Sequence, residues 1–503
     1  MSDASLSQVI NSRTNWRWWV LFTVIIGTFL GRLDQTIVGL ALPKIINDFG
    51  ITVSAAGWIS TSYIIANAVF VPVWGKLGDI MGRKKIYIFG FVVFIIGSVL
   101  CSLAWNLPSM IIFRIITALA GSADYPTAMA IIAFTFKEGK ERAQALGIWS
   151  ASFAAAAVFG PLIGGPLVDN LGWPSVFWIN LPVGLVGLIM AIIFINESKE
   201  QLDNKKNNFD LWGAIVLGVS LSALVLVLER GLSWGWTSDK SLLAYITIIT
   251  SLLIFIKIER KNNDPIVDLK FFKNNLFVNA LLNNFIIFMG MMTVVYLIPI
   301  FTQTFLGYGA TQTGYLFMPM AAAMMLASPI GGNFNKPKQI RWVIFISTII
   351  AMIGLSMFTN LEAKSSAIDI IIPITVLAFG MGLGMAQRTN LVSVAVPQNE
   401  IGSASSVLAL ARNIAGAFGI AIASTVLDST LKIHTLDLAT NSVINSFDPQ
   451  IFRQFVSLIM LQSQILAYHS VFIVGTIIVG IGAITSLWIK VPEDKKIVKV
   501  QVE

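Results

Sequence analysis

The chain has 503 residues, 56% of them hydrophobic and only 12% charged, against roughly 25% charged in ordinary soluble domains. That balance excludes a soluble globular protein and leaves an integral membrane one. The formal net charge of +8 invites a nucleic-acid reading, which the positions of the basic residues below argue against, and the single Cys101, inside an apolar run, excludes an intrachain disulfide or a cysteine-held metal cluster.

A polar arm (1–15) precedes the first apolar run, which is too long for a cleavable signal peptide and is followed by no small-residue cleavage site. Runs of about 20 apolar residues then recur, each long enough to cross ~30 Å of hydrocarbon. Fourteen candidate spans are centred near Ile25, Ile65, Phe94, Ala118, Ala155, Leu185, Gly218, Thr247, Met289, Ala322, Ile350, Ala378, Gly416 and Thr476. Those near Gly218 and Thr247 stay open, with twelve spans as the alternative. The layout reads six, two, six. A first bundle occupies 16–197, a polar linker with two additional helices 198–275, a second bundle 276–490 with a long outer loop at 428–467, and a tail 491–503. The amphipathic stretch Ile451–Leu466 predicts a helix lying on the outer surface.

With both termini placed in the cytoplasm, 25 of the 34 Lys and Arg fall on the N-terminal arm, the inner loops and the tail. Six fall outside (Lys44, Arg230, Lys240, Lys364, Lys432, Arg453), and three lie within spans (Arg32, Arg114, Arg412). Such asymmetry is the positive-inside pattern. The basic excess orients a multi-pass protein in the cell membrane and implies no nucleic-acid partner.

The first span carries Asp34 in Leu33-Asp34-Gln35-Thr36-Ile37-Val38, with Arg32 two residues before it. A carboxylate at membrane depth is costly unless paired, wet or protonated. Burial raises its proton affinity and a neighbouring guanidinium lowers it, so a site alternating between those surroundings loads and releases a proton. The plain alternative is an acid tied permanently to an Arg. Residues two apart on a helix do not face each other, so Arg32 needs a partner other than Asp34.

Between the second and third spans lies Gly75-Lys76-Leu77-Gly78-Asp79-Ile80-Met81-Gly82-Arg83-Lys84-Lys85. A merely basic orienting loop explains Arg83, Lys84 and Lys85 but not the acid and the glycine spacing. Asp79 is expected to accept hydrogen bonds from Arg83 or from amides at a neighbouring helix start, and the glycines allow close approach and unusual backbone angles. The pattern resembles the signature loop of the major facilitator superfamily, Gly-x-x-x-Asp-x-x-Gly-Arg-Lys/Arg-Lys/Arg. The Asp34 segment likewise resembles the Leu-Asp-x-Thr-Ile-Val element of its fourteen-span drug:proton antiporters, with Gly39 where that branch often has Asn.

Arg114 opens the fourth span in Phe113-Arg114-Ile115-Ile116. The superfamily follows such an Arg with Gln-Gly and links it to proton coupling; here Thr117-Ala118 replaces that pair. A snorkelling interfacial Arg is the alternative. Ten residues on, about 15 Å deeper, Gly121-Ser122-Ala123-Asp124-Tyr125-Pro126 holds an acid where the family usually has an apolar residue. Either Asp124 and Arg32 compensate one another, or Asp124 is a second proton or cation site. The four embedded charges Arg32, Arg114, Asp34 and Asp124 sum to zero, so they do not by themselves select a cationic cargo.

The fifth span contains Gly160-Pro161-Leu162-Ile163-Gly164-Gly165-Pro166. Gly160 and Gly164 share one face, where small residues let helices approach. The element also resembles the motif of the superfamily's exporters, and on that resemblance it implies efflux. Further on, Ile179-Asn180-Leu181-Pro182-Val183-Gly184 matches the family's opening of span six, and Ala411-Arg412-Asn413 its thirteenth span, where Arg412 is either a structural partner or a cavity residue. The second-bundle copy of the signature loop, Gly331 through Arg341, has lost its acid.

No Walker loop is present, and His434 and His469, the only histidines, form no metal-binding pair. The expectation is therefore an all-α integral membrane protein with the major facilitator fold, two pseudo-symmetric six-helix bundles plus two central helices, without enzymatic activity, cofactor or metal. It is expected to act as a monomeric proton-coupled antiporter that exports amphipathic drugs or toxic compounds. A proton-coupled importer, or a lipid or metabolite exporter on the same fold, is the alternative.

Overall fold

The computed structural model describes residues 16–51, 53–136, 140–197, 210–262, 265–334, 337–397, 400–441 and 449–489. The arm 1–15, linker residues 198–209, loop residues 442–448 and the tail 491–503 lie outside the described residues, and no strand occurs within them. The first bundle comprises α1 (Trp16–Phe49), α2 (Val53–Met81), α3 (Arg83–Ser102), α4 (Leu107–Gly121), α5 (Asp124–Thr135), α6 (Lys140–Leu171), α7 (Ser175–Trp178) and α8 (Asn180–Phe194). The central pair is α9 (Leu211–Trp234) and α10 (Asp239–Lys261). The second bundle comprises α11 (Asn275–Phe305), α12 (Ala310–Leu316), α13 (Met318–Gly332), α14 (Pro337–Met357), α15 (Ala367–Val394), α16 (Ile401–Asn441) and α17 (Pro449–Ser486).

Thirteen of these stretches are long and apolar enough to cross a membrane. Helix α6, 32 residues or about 48 Å at 1.5 Å per residue, runs between α1 and α13 in the place of the fifth span. The fourteen-span, all-helical plan follows. The fourth span starts at a capping box, in which Asn106 accepts from the Ser109 amide (2.9 Å). It bends between α4 and α5 because Pro126 has no N–H to give the carbonyl one turn back.

The two bundles meet along α2 against α16 and α6 against α13, with α5 also on α16. Helix α9 lies on both α2 and α16, burying Leu217, Leu221 and Val225 in one cluster with Ala68, Val407 and Leu408. Its partner α10 leaves Leu243, Ile246, Ile249 and Leu253 exposed, as a lipid-facing helix does. Arg230, expected in an outer loop, stays inside α9, with its guanidinium 4.9 Å from the Trp58 ring centroid.

Two expected loops are helical instead. Gly75–Met81 completes α2 and Arg83 opens α3, so Gly82 alone makes the turn, at a φ of 103° that favours glycine. Residues 451–466 form the first turns of α17 rather than a separate surface helix, and α16 and α17 run 41 and 38 residues, longer than the ~20 that a bilayer needs.

In α6, a Cβ on Gly160 would meet Thr36 of α1, and one on Gly164 would lie 3.1–3.2 Å from Leu40 and Ile37. Gly165 instead faces Thr311 of α12 at 3.2 Å, so two glycines seat α6 on α1 and the third lies against the second bundle. Pro161 lies within the same unbroken helix. Replacing Gly160 by Leu is expected to force α1 and α6 apart, costing about 1–3 kcal/mol of overpacking strain. Folded yield and thermal stability in detergent should both fall, whereas Gly31→Ala, at a glycine with nothing within 4 Å, should leave them unchanged.

Candidate functional site

Asp34, halfway along α1, and Arg114, in the middle of α4, are 1% and 2% exposed. Arg114 Nη1 lies 2.6 Å from Asp34 Oδ2, and Asn180 Nδ2 donates to Asp34 Oδ1 (3.1 Å) and to Ser98 Oγ (2.7 Å). The guanidinium carbon sits 4.2 Å from the Tyr63 ring centroid. Arg114 is therefore no interfacial side chain reaching for headgroups. A buried charge survives only with such pairing, and here the pair joins two helices of one bundle.

Tyr63 also lines a small cavity bounded by Thr28, Arg32, Gln35, Asn67, Asp124 and Asn413, among others. The ring thus stands between the buried pair and the cavity. Asp124, at the first turn of α5, reaches that cavity directly. Trp149 Nε1 donates to Thr28 Oγ1 (2.9 Å), and Thr28 donates to Asp124 Oδ2 (2.7 Å). Asp124 Oδ1 is buried beside the Tyr87 hydroxyl, against Gly27 of α1. Arg32 donates to Gln35 (3.0 Å), one turn along α1, and shares the cavity with Asp124.

At the wall of the cavity a polar seam joins the bundles. Asn413 Nδ2 donates to Asn67 (2.8 Å), and Arg412 donates to the Tyr125 hydroxyl (2.5 Å), to Asn284 (3.0 Å) and to Thr389 (3.1 Å). At the face bearing Gly82, Asp79 Oδ2 accepts from the amide and the hydroxyl of Ser403, both at 3.1 Å, at the start of α16. Its Oδ1 takes Arg83 Nη2, also at 3.1 Å. Both partners anticipated for Asp79 are therefore present, and one of them belongs to the opposite bundle. Contact is too close there for side chains: a Cβ on Gly75 would lie 2.7 Å from Ser406 Cβ, and one on Gly402 would strike Asp79. Gly78 faces Thr127 at 3.4 Å. Arg83 is buried with its guanidinium 4.3 Å from the Phe134 ring centroid. Lys84 Nζ caps the Ile192 carbonyl (2.8 Å), while its amide donates to Glu197 (3.3 Å).

The matching fits this geometry. The family model described as Major Facilitator Superfamily matches residues 24–420. The chain belongs to the major facilitator superfamily. It is 30% identical to the multidrug transporter protein MdtP of Bacillus subtilis, over 93% of this chain and 92% of that one. It is 31% identical to multidrug resistance protein 3 of the same organism, over 81% and 79%. The solved structure of the human organic anion transporter MFSD10 superposes with a TM-score of 0.61 at 14% identity, covering 92% of this chain and 99% of that one. This facilitator is accordingly a multi-pass membrane transporter with multidrug transport and resistance proteins among its relatives.

Several buried charges of this facilitator, Arg142, Glu259 and Arg388 among them, escaped the sequence reading. Arg388, counted among the inner-loop residues, is 2% exposed inside α15 and donates to Asn283 (2.6 Å), Ser347 (2.9 Å) and Thr348 (2.9 Å). The run Gln387-Arg388-Thr389-Asn390 reads as a polar loop, and only the neutral acceptors on α11 and α14 make it a helix interior. Asn180 did carry a signal, since it stands in the quoted Ile-Asn-x-Pro element, but its role as the second ligand of Asp34 needs the three-dimensional meeting of α1 and α8.

Proposed function

We propose that this facilitator is a proton-coupled antiporter that exports small amphipathic compounds by rocking its bundles around the central cavity. The buried Asp34–Arg114 pair carries the reading. Arg114 and Asn180 both donate to the Asp34 carboxylate in this arrangement. A proton binds once the pair opens, and the carboxyl must shed it before the pair re-forms. Each turn of that cycle moves one proton if pairing is confined to one orientation of the bundles. Asp124, which faces the cavity, is the acid within reach of cargo.

The Asp79–Ser403 contact supports a cytoplasmic gate closed in this conformation, with Arg83 and Lys84 anchoring the start of α3. Both termini and the Gly82 face are then cytoplasmic, in the plasma membrane, and one chain forms the whole pathway as a monomer. The glycines of α6 and the multidrug relatives support export over import.

The direction of coupling is testable in proteoliposomes with an imposed proton gradient. Cargo should move opposite to the protons; movement alongside them would establish an importer instead. Tyr63 makes a second test. Removing the ring that separates the ion pair from the cavity, in Tyr63→Ala, is expected to let protons cross without cargo. A leak several-fold above that of wild-type liposomes, read with an entrapped pH dye, is the predicted outcome, and an unchanged leak speaks against the shutter role.

A further inference from the structure

Among the described residues the central pair contributes nothing to the wall of the cavity, and rocking about that cavity gives it no task. Its inner end does reach the gate. After α10, residues 265–274 run beneath the second bundle as a strap, with a short 3-10 turn at Leu269–Lys273. The Phe271 ring centroid lies 5.4 Å from that of Phe277 in α11. Ile266, Val267 and Phe271 are buried in one apolar cluster with Leu391 and Val392 of α15 and with Ala404, Val407 and Leu408 of α16. Ala404 follows Ser403, the residue that donates to Asp79. The first turn of α16 is thus held by the gate carboxylate on one side and by the strap on another.

Two polar anchors fix the strap. Asn274 Nδ2 donates to the Ala395 carbonyl (2.9 Å), just past the end of α15. Glu259, 4% exposed in the last turn of α10, accepts the amides of Ile266 (3.2 Å) and Val267 (3.3 Å) on one oxygen. Both amides are buried, and a buried donor without an acceptor is costly, so the seat of the strap depends on that carboxyl group. Charges tie the same region to the gate. Lys76 of α2, three residues before Asp79, attracts the Glu259 carboxylate. Asp268 and Lys270 of the strap act on Glu400, the residue before α16.

We propose that Glu259 and the strap are positioning elements of the cytoplasmic gate. They hold the start of α16 where Ser403 meets Asp79, and unseating the strap lets this face open more readily. The inference rests on the gate reading of the Asp79–Ser403 contact. It assigns the central pair a part in setting the conformational balance and none in binding cargo.

The test is maleimide labelling of the purified full-length protein in detergent, read at two introduced cysteines. Ser405→Cys lies in the first turns of α16, and Ser62→Cys in the half of α2 remote from the gate; both positions are buried. Glu259→Ala removes the acceptor of both amides and is expected to raise Ser405→Cys labelling about tenfold, with Ser62→Cys staying protected. Glu259→Gln keeps an acceptor oxygen and should remain within about twofold of wild type. Phe271→Leu loosens the strap at its apolar end with Glu259 intact, and should act in the same direction as Glu259→Ala. Unchanged Ser405→Cys labelling in both Glu259→Ala and Phe271→Leu overturns the proposal, as does an equal rise at Ser62→Cys in both, the mark of general loosening. A Glu259→Gln protein as open as Glu259→Ala overturns the anchoring role of the carboxyl oxygen. Asp79→Asn separates the two readings. If it leaves Ser405→Cys protected, the contact is no gate and that reading fails. If it alone raises labelling, the gate stands and the strap inference fails.

Discussion

Asp34→Asn is expected to abolish concentrative export while leaving cargo binding in place. A proton falling through 100 mV supplies about 2.3 kcal/mol, which supports a cargo ratio of about 45-fold across the membrane. Without an ionisable group the ratio should fall to about one, with downhill exchange retained. The physical reason lies in the pair: Asn keeps the shape of Asp34 and a hydrogen-bond acceptor for Arg114, 2.6 Å away in the native pair, but can neither bind nor release a proton. Separating coupling from folding requires the double variant. Removing one partner of a buried pair costs about 3–5 kcal/mol, whereas replacing both by apolar side chains of similar volume is often neutral. Arg114→Leu alone should lower thermal stability sharply. Asp34→Leu with Arg114→Leu should recover it and still fail to concentrate cargo. If the double variant regains transport along with stability, the pair is structural.

The second large effect concerns the gate. Asp79 accepts from Arg83 within its own bundle and from Ser403 across to the other. Charge-assisted hydrogen bonds contribute about 1.5–3 kcal/mol each, so Asp79→Asn should shift the closed-to-open balance at this face by roughly 10- to 100-fold. Labelling of a Ser405→Cys probe, buried at the seam, by a membrane-impermeant maleimide should rise accordingly. The converse locks the gate. Gly75→Cys with Ser406→Cys places two Cβ atoms closer than the 3.5–4.5 Å of a relaxed disulfide, a gap that a small helix shift supplies. Oxidation should stop turnover and a reductant restore it. Cys101, the one native cysteine, is buried within α3 and leaves the assay clean. Continued transport by the fully cross-linked protein would show that this face need not open.

What the sequence carried, and what it did not, follows from the range of the forces involved. Each span is a local property, because about 20 apolar residues satisfy the bilayer regardless of neighbours. The central pair, without which twelve spans stood as the alternative, is present, since α9 needs only one packed face and α10 faces lipid. The embedded acids stood out because charge at membrane depth is rare. Their partners did not: Thr28 and Asp124 are 96 positions apart, and Asp34 and Asn180 146. Arg388 was misread for the same reason, its neutral acceptors lying on two other helices. Helix ends were the other weak point. Arg230 was read in an outer loop, yet α9 continues past it, with Thr61 of α2 donating to the neighbouring Glu229 carboxylate. The one-residue turn at Gly82 was hidden by flanking charges that read as loop but cap and open helices.

Cargo-driven proton flux tests the role of Asp34 most directly. Proteoliposomes carrying an entrapped pH dye and no imposed proton gradient receive cargo on one side only. Wild-type protein should drive protons toward the cargo-rich side, with a pH signal that scales with cargo flux, and Asp34→Asn protein should pass cargo without any such signal. An undiminished proton signal from Asp34→Asn liposomes would contradict proton exchange through this carboxylate.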